Sequence, residues 1–168
     1  MQHRFFEHPQ GAFALVEDQN RLIGVIWRDN QADAAQTVSA SYPHSVEQVS
    51  ELLENARRQI EAYLAGASTK FDLPFIITGV TPFQKKVLEI LSRCPYGEAL
   101  TYGQLADRAG HPKAARAVGA AMAANPLPLI IPCHRVIGAG SKLTGYSGGR
   151  GVSSKKILLE LEAGGKTL

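Results

Sequence analysis

The stretch from Thr101 to Ala124 restricts the fold more than any other part of the chain. A capped helical segment begins at Thr101, places Leu105 and Ala106 on its inward face and ends near Ala109-Gly110. His111-Pro112 turns the chain, and Lys113-Ala114-Ala115-Arg116-Ala117-Val118-Gly119-Ala120-Ala121-Met122-Ala123-Ala124 resumes as a second helix. Helix, short turn with glycine, helix is the spacing of a helix-turn-helix. The second helix is nearly all alanine, contains a glycine, and carries only Lys113 and Arg116 as charged groups. Side chains that read the major groove are normally Asn, Gln, Arg and Ser. A helix this bare suits close approach to a backbone or a shallow groove, with one long side chain reaching inward. It suits a tight helix–helix contact equally well, and the residues alone leave both readings open.

The second helix leads through Asn125-Pro126-Leu127-Pro128, an irregular connection, into Leu129-Ile130-Ile131-Pro132-Cys133-His134-Arg135-Val136-Ile137-Gly138. A strand-like run accounts for Leu129 to Ile131, but burial does not account for Cys-His-Arg. Two ionisable side chains beside a thiol are what lowering a cysteine pKa requires. The plain alternative is a buried structural cysteine with two solvated neighbours, and composition by itself favours it. Beyond the turn Gly138-Ala139-Gly140-Ser141 lies Leu143-Thr144-Gly145-Tyr146-Ser147-Gly148-Gly149-Arg150-Gly151. This loop lacks the Gly-Lys-Ser/Thr ending of a phosphate-binding loop. It reads as a mobile wall or lid beside a pocket. Ser153 to Ala163 reads as a last helix, with Ile157, Leu158 and Leu161 apolar.

The preceding half has a different character. Residues 12–17 and 22–27 are β-prone runs flanking Asp18-Gln19-Asn20-Arg21, a hairpin pattern. Residues 28–44 read as a loop. Ser45-Val46-Glu47-Gln48 has the form of a capping box, followed at helical spacing by Val49, Leu52, Leu53, Ala56, Ile60, Tyr63 and Leu64 as far as Gly66. Phe71, Leu73, Phe75 and Ile77 alternate, so 70–77 reads as a strand. His3 and His8 read as surface histidines. Gly79 closes this module, and Thr81-Pro82-Phe83-Gln84 opens the next with a capping box and a proline at the first helical position. Phe83, Val87, Leu88 and Leu91 form its buried face, and Cys94-Pro95-Tyr96-Gly97 is a turn. The division expected is therefore 1–78, an α/β supporting domain, and 79–168, a mostly helical domain with the helix-turn-helix over about 101–124 and the cysteine segment at 131–136. The fold class is α+β.

Charge follows the same division. Residues 1–78 carry 6 Lys/Arg and 10 Asp/Glu, a net of −4, whereas residues 79–168 carry 12 and 5, a net of +7. A polyanion, if one binds, belongs on the second half. No apolar run approaches 18 residues, which excludes a membrane-spanning helix, and Met1 to Glu7 lack a signal-peptide core. Cys94 and Cys133, the two cysteines, make neither a disulfide framework nor a metal knuckle, and point to a reducing cytoplasm.

Six segments together carry a resemblance. Tyr96-Gly97-Glu98, Thr101-Tyr102-Gly103-Gln104-Leu105-Ala106, Pro112 to Gly119, Asn125-Pro126, Ile131-Pro132-Cys133-His134-Arg135-Val136 and Gly145-Tyr146-Ser147-Gly148-Gly149 resemble the O6-alkylguanine-DNA alkyltransferases in order and spacing over roughly residues 80–162. The N-terminal third resembles the family loosely. The resemblance implies direct-reversal repair: irreversible transfer of an alkyl group from O6 of guanine in duplex DNA to a protein cysteine, without cofactor and once per molecule. O4-alkylthymine is a further candidate substrate. By the same resemblance Cys133 is the acceptor, and His134 its base through a bridging water. A glutamate of the last helix orients the imidazole. Arg116 enters the base stack in place of the flipped nucleotide, while Tyr102 crowds the 3′ phosphate and can protonate the departing guanine. Asn125 ties the helix pair to the cysteine run. Lys113, Ala115 and Ala117 line the DNA face, and Tyr146, Ser147, Met122, Pro128 and Val136 wall the base pocket.

Two departures matter. Counted from Tyr146, the two extra residues Arg150-Gly151 favour Glu160 as the orienting carboxylate. Counted from Lys155, Leu158 and Leu159 on the helix, the residue is Glu162, and Glu162 is preferred because insertions fall in loops. Some relatives hold a structural zinc through N-terminal cysteines, which this chain lacks, so no metal is expected. A monomer is expected, with cooperative packing on DNA left open. Three rival readings stand beside this one. A cysteine hydrolase would need an oxyanion hole and turnover. A helix-turn-helix regulator leaves Cys-His-Arg and Tyr102 without work. A lesion binder of the alkyltransferase-like kind would lack the thiol.

Overall fold

Three strands start the chain, β1 (Gln2–His8), β2 (Gly11–Asp18) and β3 (Arg21–Arg28), and the last two are apolar runs buried along nearly their whole length. A computed structural model describes residues 1–164 and divides them into two units, Met1–Ile76 with Gly148–Arg150, and Ile77–Ser147 with residues 151–164. In the first unit the strands pair antiparallel with Phe6 opposite Phe13 and Phe13 opposite Trp27. Their rings stack at centroid distances of 4.8 and 5.2 Å. Gln19 and Asn20 both take positive φ, the two-residue turn whose twist matches the strands. A short strand β4 (Val46–Glu47) runs parallel to β1, giving the order β3-β2-β1-β4. Helix α1 (Gln31–Ser41) sets Ala34 and Val38 against Ala12, Ala14, Val16, Ile23 and Ile26 on one face of the sheet. Helix α2 (Glu51–Leu64) packs against β1, β2 and β3. Gly149 N–H donates to Trp27 O, so that residues 148–150 attach to β3.

Four readings of this half are corrected. The polar stretch 28–44 contains α1, capped by the Asn30 side chain accepting from Asp33 N–H; two buried residues are too faint a stripe to reveal it. The cap of α2 is Ser50, not Ser45, because Ser45 Oγ is already engaged by His3 and Tyr42 O. Val49 is accordingly 65% exposed. Residues 70–77 form only an isolated bridge, Phe75 to Leu22, with Pro74 O accepting from Leu22 N–H. Pro74 has no N–H to offer a longer ladder. His3, read as a surface residue, is buried and paired with Ser45 at 2.9 Å.

The second unit is built on three packed helices. Helix α3 (Pro82–Leu91) has the capping box of Thr81 with Gln84, and α4 (Tyr102–Arg108) that of Thr101 with Gln104. Helix α5 (Ala115–Ala123) follows the turn at Gly110, whose φ of 78° suits glycine. Val87, Leu88, Leu91, Leu105, Val118 and Ala121 are fully buried among them. Phe83 is only half-buried. Strand β5 (Leu100–Thr101) pairs parallel with β6 (Val136–Ile137), placing the end of the cysteine segment beside the start of α4. Helix α6 (Val152–Glu162) closes the unit. Of its apolar residues Ile157 is exposed, because the buried face is Lys155, Leu158, Leu159 and Glu162.

Candidate active site

The connection from α5 to the thiol is a doubled-back turn rather than a strand. Leu129 takes φ of 72°, a left-handed conformation that interrupts any extended run, and Ile131 N–H donates to Leu127 O at 2.8 Å. Asn125 holds the turn closed: its Nδ2 donates to Ile131 O at 2.9 Å and its Oδ1 accepts from Leu127 N–H at 3.0 Å. Pro132 then delivers Cys133–Arg135 as one turn of 3₁₀ helix.

All three residues of that turn are buried, His134 completely. His134 Nε2 lies 2.7 Å from Glu162 Oε1. The Arg135 guanidinium meets the same carboxylate, Nε to Oε2 at 2.8 Å and Nη2 to Oε1 at 2.9 Å. Its Nη1 donates to Cys94 O at 2.5 Å, and the group lies over the Tyr96 ring, 5.8 Å from its centroid. Glu162 Oε2 accepts in addition from Gly97 N–H at 3.0 Å. The carboxylate that reaches His134 is thus Glu162; Glu160 faces Lys156 at 3.7 Å on the outer side of α6.

Sequence reasoning gave Lys155 no role at the site. It is completely buried, and its Nζ donates to Val136 O at 2.5 Å and Thr144 O at 2.9 Å. A signal was present: Lys155, Leu158, Leu159 and Glu162 fall at i, i+3, i+4 and i+7, so a lysine and a glutamate occupy positions that helical periodicity assigns to the core.

The charges around the thiol differ from the sequence expectation. Burial pushes the Cys133 pKa up; the Asn125 side chain, Lys155 and the backbone N–H groups of Cys133 and His134 oppose this in part. The His134 pKa is pushed down by burial, against the pull of Glu162, with Arg135 and Lys155 adding to the fall. Burial also lowers the Lys155 pKa, and Cys133 opposes it. Both shifts favour the uncharged forms, a thiol and an imidazole, over a thiolate stabilised by two cations, and the Arg135 charge is engaged by Glu162. Such a pair can generate a sulfur nucleophile on demand, when the imidazole takes the thiol proton.

Other residues singled out from sequence fall into groups. Arg116, Ala117, Ala120 and Ala123 make the exposed face of α5, with Lys113 exposed just before it and Ala115 half-buried. Tyr102 is half-buried, its hydroxyl accepting from Thr144 Oγ1 at 3.3 Å, and its ring stands 3.9 Å from where a Cβ on Gly119 would lie. Met122, Pro128 and Val136 are buried, Tyr146 half-buried and Ser147 exposed. A separate cleft of about 290 Å³, lined by Ala99, Ile137, Ser141, Leu143, Leu159 and the Lys156–Glu160 pair, contains none of these. Among the described residues no helix is long and apolar enough to cross a membrane, and no group of three His, Cys, Asp or Glu gathers to hold a metal.

Comparison with known proteins places this geometry. Residues 82–164 match the family model described as 6-O-methylguanine DNA methyltransferase, DNA binding domain, and residues 1–77 the model described as its ribonuclease-like domain. The methylated-DNA–protein-cysteine methyltransferase of Methanosarcina acetivorans is 42% identical over 162 residues, covering 96% of this chain and 98% of that protein. The constitutive enzyme of the same name from Bacillus subtilis is 39% identical over 157 residues, covering 93% of this chain and 92% of that one. The crystal structure of Mycobacterium tuberculosis OGT in complex with DNA superimposes with a TM-score of 0.85 at 38% identity, covering 99% of this chain and 96% of that one.

Proposed function

This chain belongs to the 6-O-methylguanine DNA methyltransferase family, and from that premise we propose that it repairs duplex DNA by moving an alkyl group from O6 of guanine to the sulfur of Cys133, once per molecule. The observation that carries the reading is the buried Cys133 set in one 3₁₀ turn with a His134 bonded to Glu162. His134 takes the thiol proton, through a bridging water. The sulfur pair attacks the alkyl carbon, the carbon–oxygen bond breaks, and its electrons leave with the guanine. A proton supplied through Tyr102 restores the base. A thioether remains on Cys133, and nothing in the sequence of steps removes it, so one molecule repairs one lesion. The displacement moves an electron pair from sulfur to oxygen and calls for no redox partner. O4-alkylthymine offers the same kind of bond.

Duplex DNA is the partner on this reading, by analogy with the M. tuberculosis protein crystallised with DNA. Helices α4 and α5 are its helix-turn-helix. The exposed alanines of α5 allow close approach in the minor groove while Arg116 fills the gap left by the flipped nucleotide. Lys113, Ala115 and Ala117 lie along the DNA, and Tyr146, Ser147, Met122, Pro128 and Val136 wall the extruded base. The presence of Cys133 distinguishes this reading from a lesion binder that lacks an acceptor.

With O6-methylguanine duplex in tenfold excess, methyl transfer should stop at one equivalent per protein. Continued release of repaired DNA beyond that equivalent would contradict a single-use acceptor.

A further inference from the structure

Arg135 takes no part in the steps above, yet its side chain is buried and donates from all three guanidinium nitrogens. Its fork spans both oxygens of Glu162, and its third nitrogen holds Cys94 O. We propose that Arg135 is a positioning residue for the transfer: by neutralising and fixing Glu162 it keeps His134 an uncharged base with its Nδ1 lone pair available for the thiol proton. The inference rests on reading Cys133 as the acceptor, and it names what sets the protonation state of the base.

Hydrogen-bond capacity fixes the tautomer of His134. Glu162 receives the Arg135 fork and the Gly97 N–H. A carboxylate so supplied with donors is ionised, and an ionised carboxylate only accepts. The 2.7 Å contact from His134 Nε2 to Oε1 must then be donated by the imidazole. With its one proton on Nε2, neutral His134 carries its lone pair on Nδ1.

Charge decides whether the imidazole remains neutral. A lone buried carboxylate at 2.7 Å would favour imidazolium, which cannot accept a proton. The guanidinium on the same carboxylate cancels that pull, and guanidinium does not deprotonate in proteins. The groups around His134 are Glu162 and Lys155 from α6, Cys133 and Arg135 from its own turn, and Cys94 and Tyr96 from the turn before β5, where they border Arg135. Glu162 alone among them is ionised negative, and Arg135 is its direct counter-charge. An Arg135 that merely stapled the turn to Cys94 O would affect folding and rate without regard to pH.

Single-turnover methyl transfer measured against pH separates the two roles. Arg135→Met should move the acid limb of the rate profile upward by at least about one pH unit, with transfer regained as pH rises. Arg135→Lys keeps the charge and should leave the limb near its wild-type position even if the plateau falls. A limb that stays in place in Arg135→Met, or moves equally in both variants, overturns the proposal. Nitrogen NMR of the wild-type protein gives a test that needs no variant to fold. His134 should carry its proton on Nε2 alone at pH 7 and gain a second only below the ordinary imidazole range, and an imidazolium at pH 7 overturns the proposal. Failure of the wild-type protein to methylate Cys133 would instead remove the acceptor reading, so the two failures are distinct.

Discussion

Glu162 and Glu160 sit two residues apart on one helix, and the geometry gives them opposite surroundings. Glu162 is buried against His134 and Arg135, whereas Glu160 lies on the outer side near Lys156. Replacing Glu162 by Gln strands the Arg135 charge in the interior, and thermal unfolding should show a loss of about 3 kcal/mol or more. Glu160→Gln should stay within about 0.5 kcal/mol. His134 makes a second prediction at this scale. Its folded pKa lies below the unfolded value of 6.5, so the unfolded chain binds the proton first. The stabilisation from burying it neutral is complete above that value and is lost as pH falls through it toward the folded pKa. Urea unfolding should therefore show stability declining below about pH 6.5, with a shallower decline in His134→Gln. The sequence announced Cys133 and His134 by their incongruity in an apolar run. Helical spacing held a signal for Lys155 on the inner face of α6, but the partners of Lys155 and Arg135 are defined only once α6 and the Cys94–Gly97 turn are in place.

Elements were legible where their own residues encode them. Thr81-Pro82-Phe83-Gln84 and Thr101 with Gln104 cap α3 and α4 by side chains within four residues of each other. The alanine-rich run 113–124 contains α5, which starts at Ala115 and ends at Ala123. Elements that depend on distant partners were hidden. In β1 the buried residues are His3 and Phe6, three apart, so alternation is lost, and the strand exists because β2 pairs with it along its full length. Ser45 fits a capping pattern but bonds His3 instead. Two predictions belong here. Thr101→Ala removes a capping box and should cost about 1 kcal/mol in chemical unfolding. Ala120→Glu, on the exposed face of α5, should change stability by no more than about 0.5 kcal/mol. The same change should weaken duplex binding at least tenfold, about 1.4 kcal/mol, in a fluorescence anisotropy titration, because a carboxylate would face phosphates.

For the whole molecule, the uneven distribution of charge was fully readable: residues 79–168 carry the net +7 and residues 1–78 the net −4. If the second half alone meets DNA, duplex affinity should fall linearly in log–log form with salt, and Lys113→Ala or Arg116→Ala should each reduce the slope by about one. Residues 148–150 show the limit of reading organisation from order, since they follow the site in sequence yet join the sheet of the first unit through Gly149 and Trp27. The central claim is the identity of the acceptor, and intact-mass and peptide mass spectrometry after reaction with O6-methylguanine duplex tests it most directly. One added methyl, about 14 Da, on the peptide containing Cys133 and absent in Cys133→Ala is the predicted result; an adduct on Cys94, or none while the DNA is repaired, would contradict it.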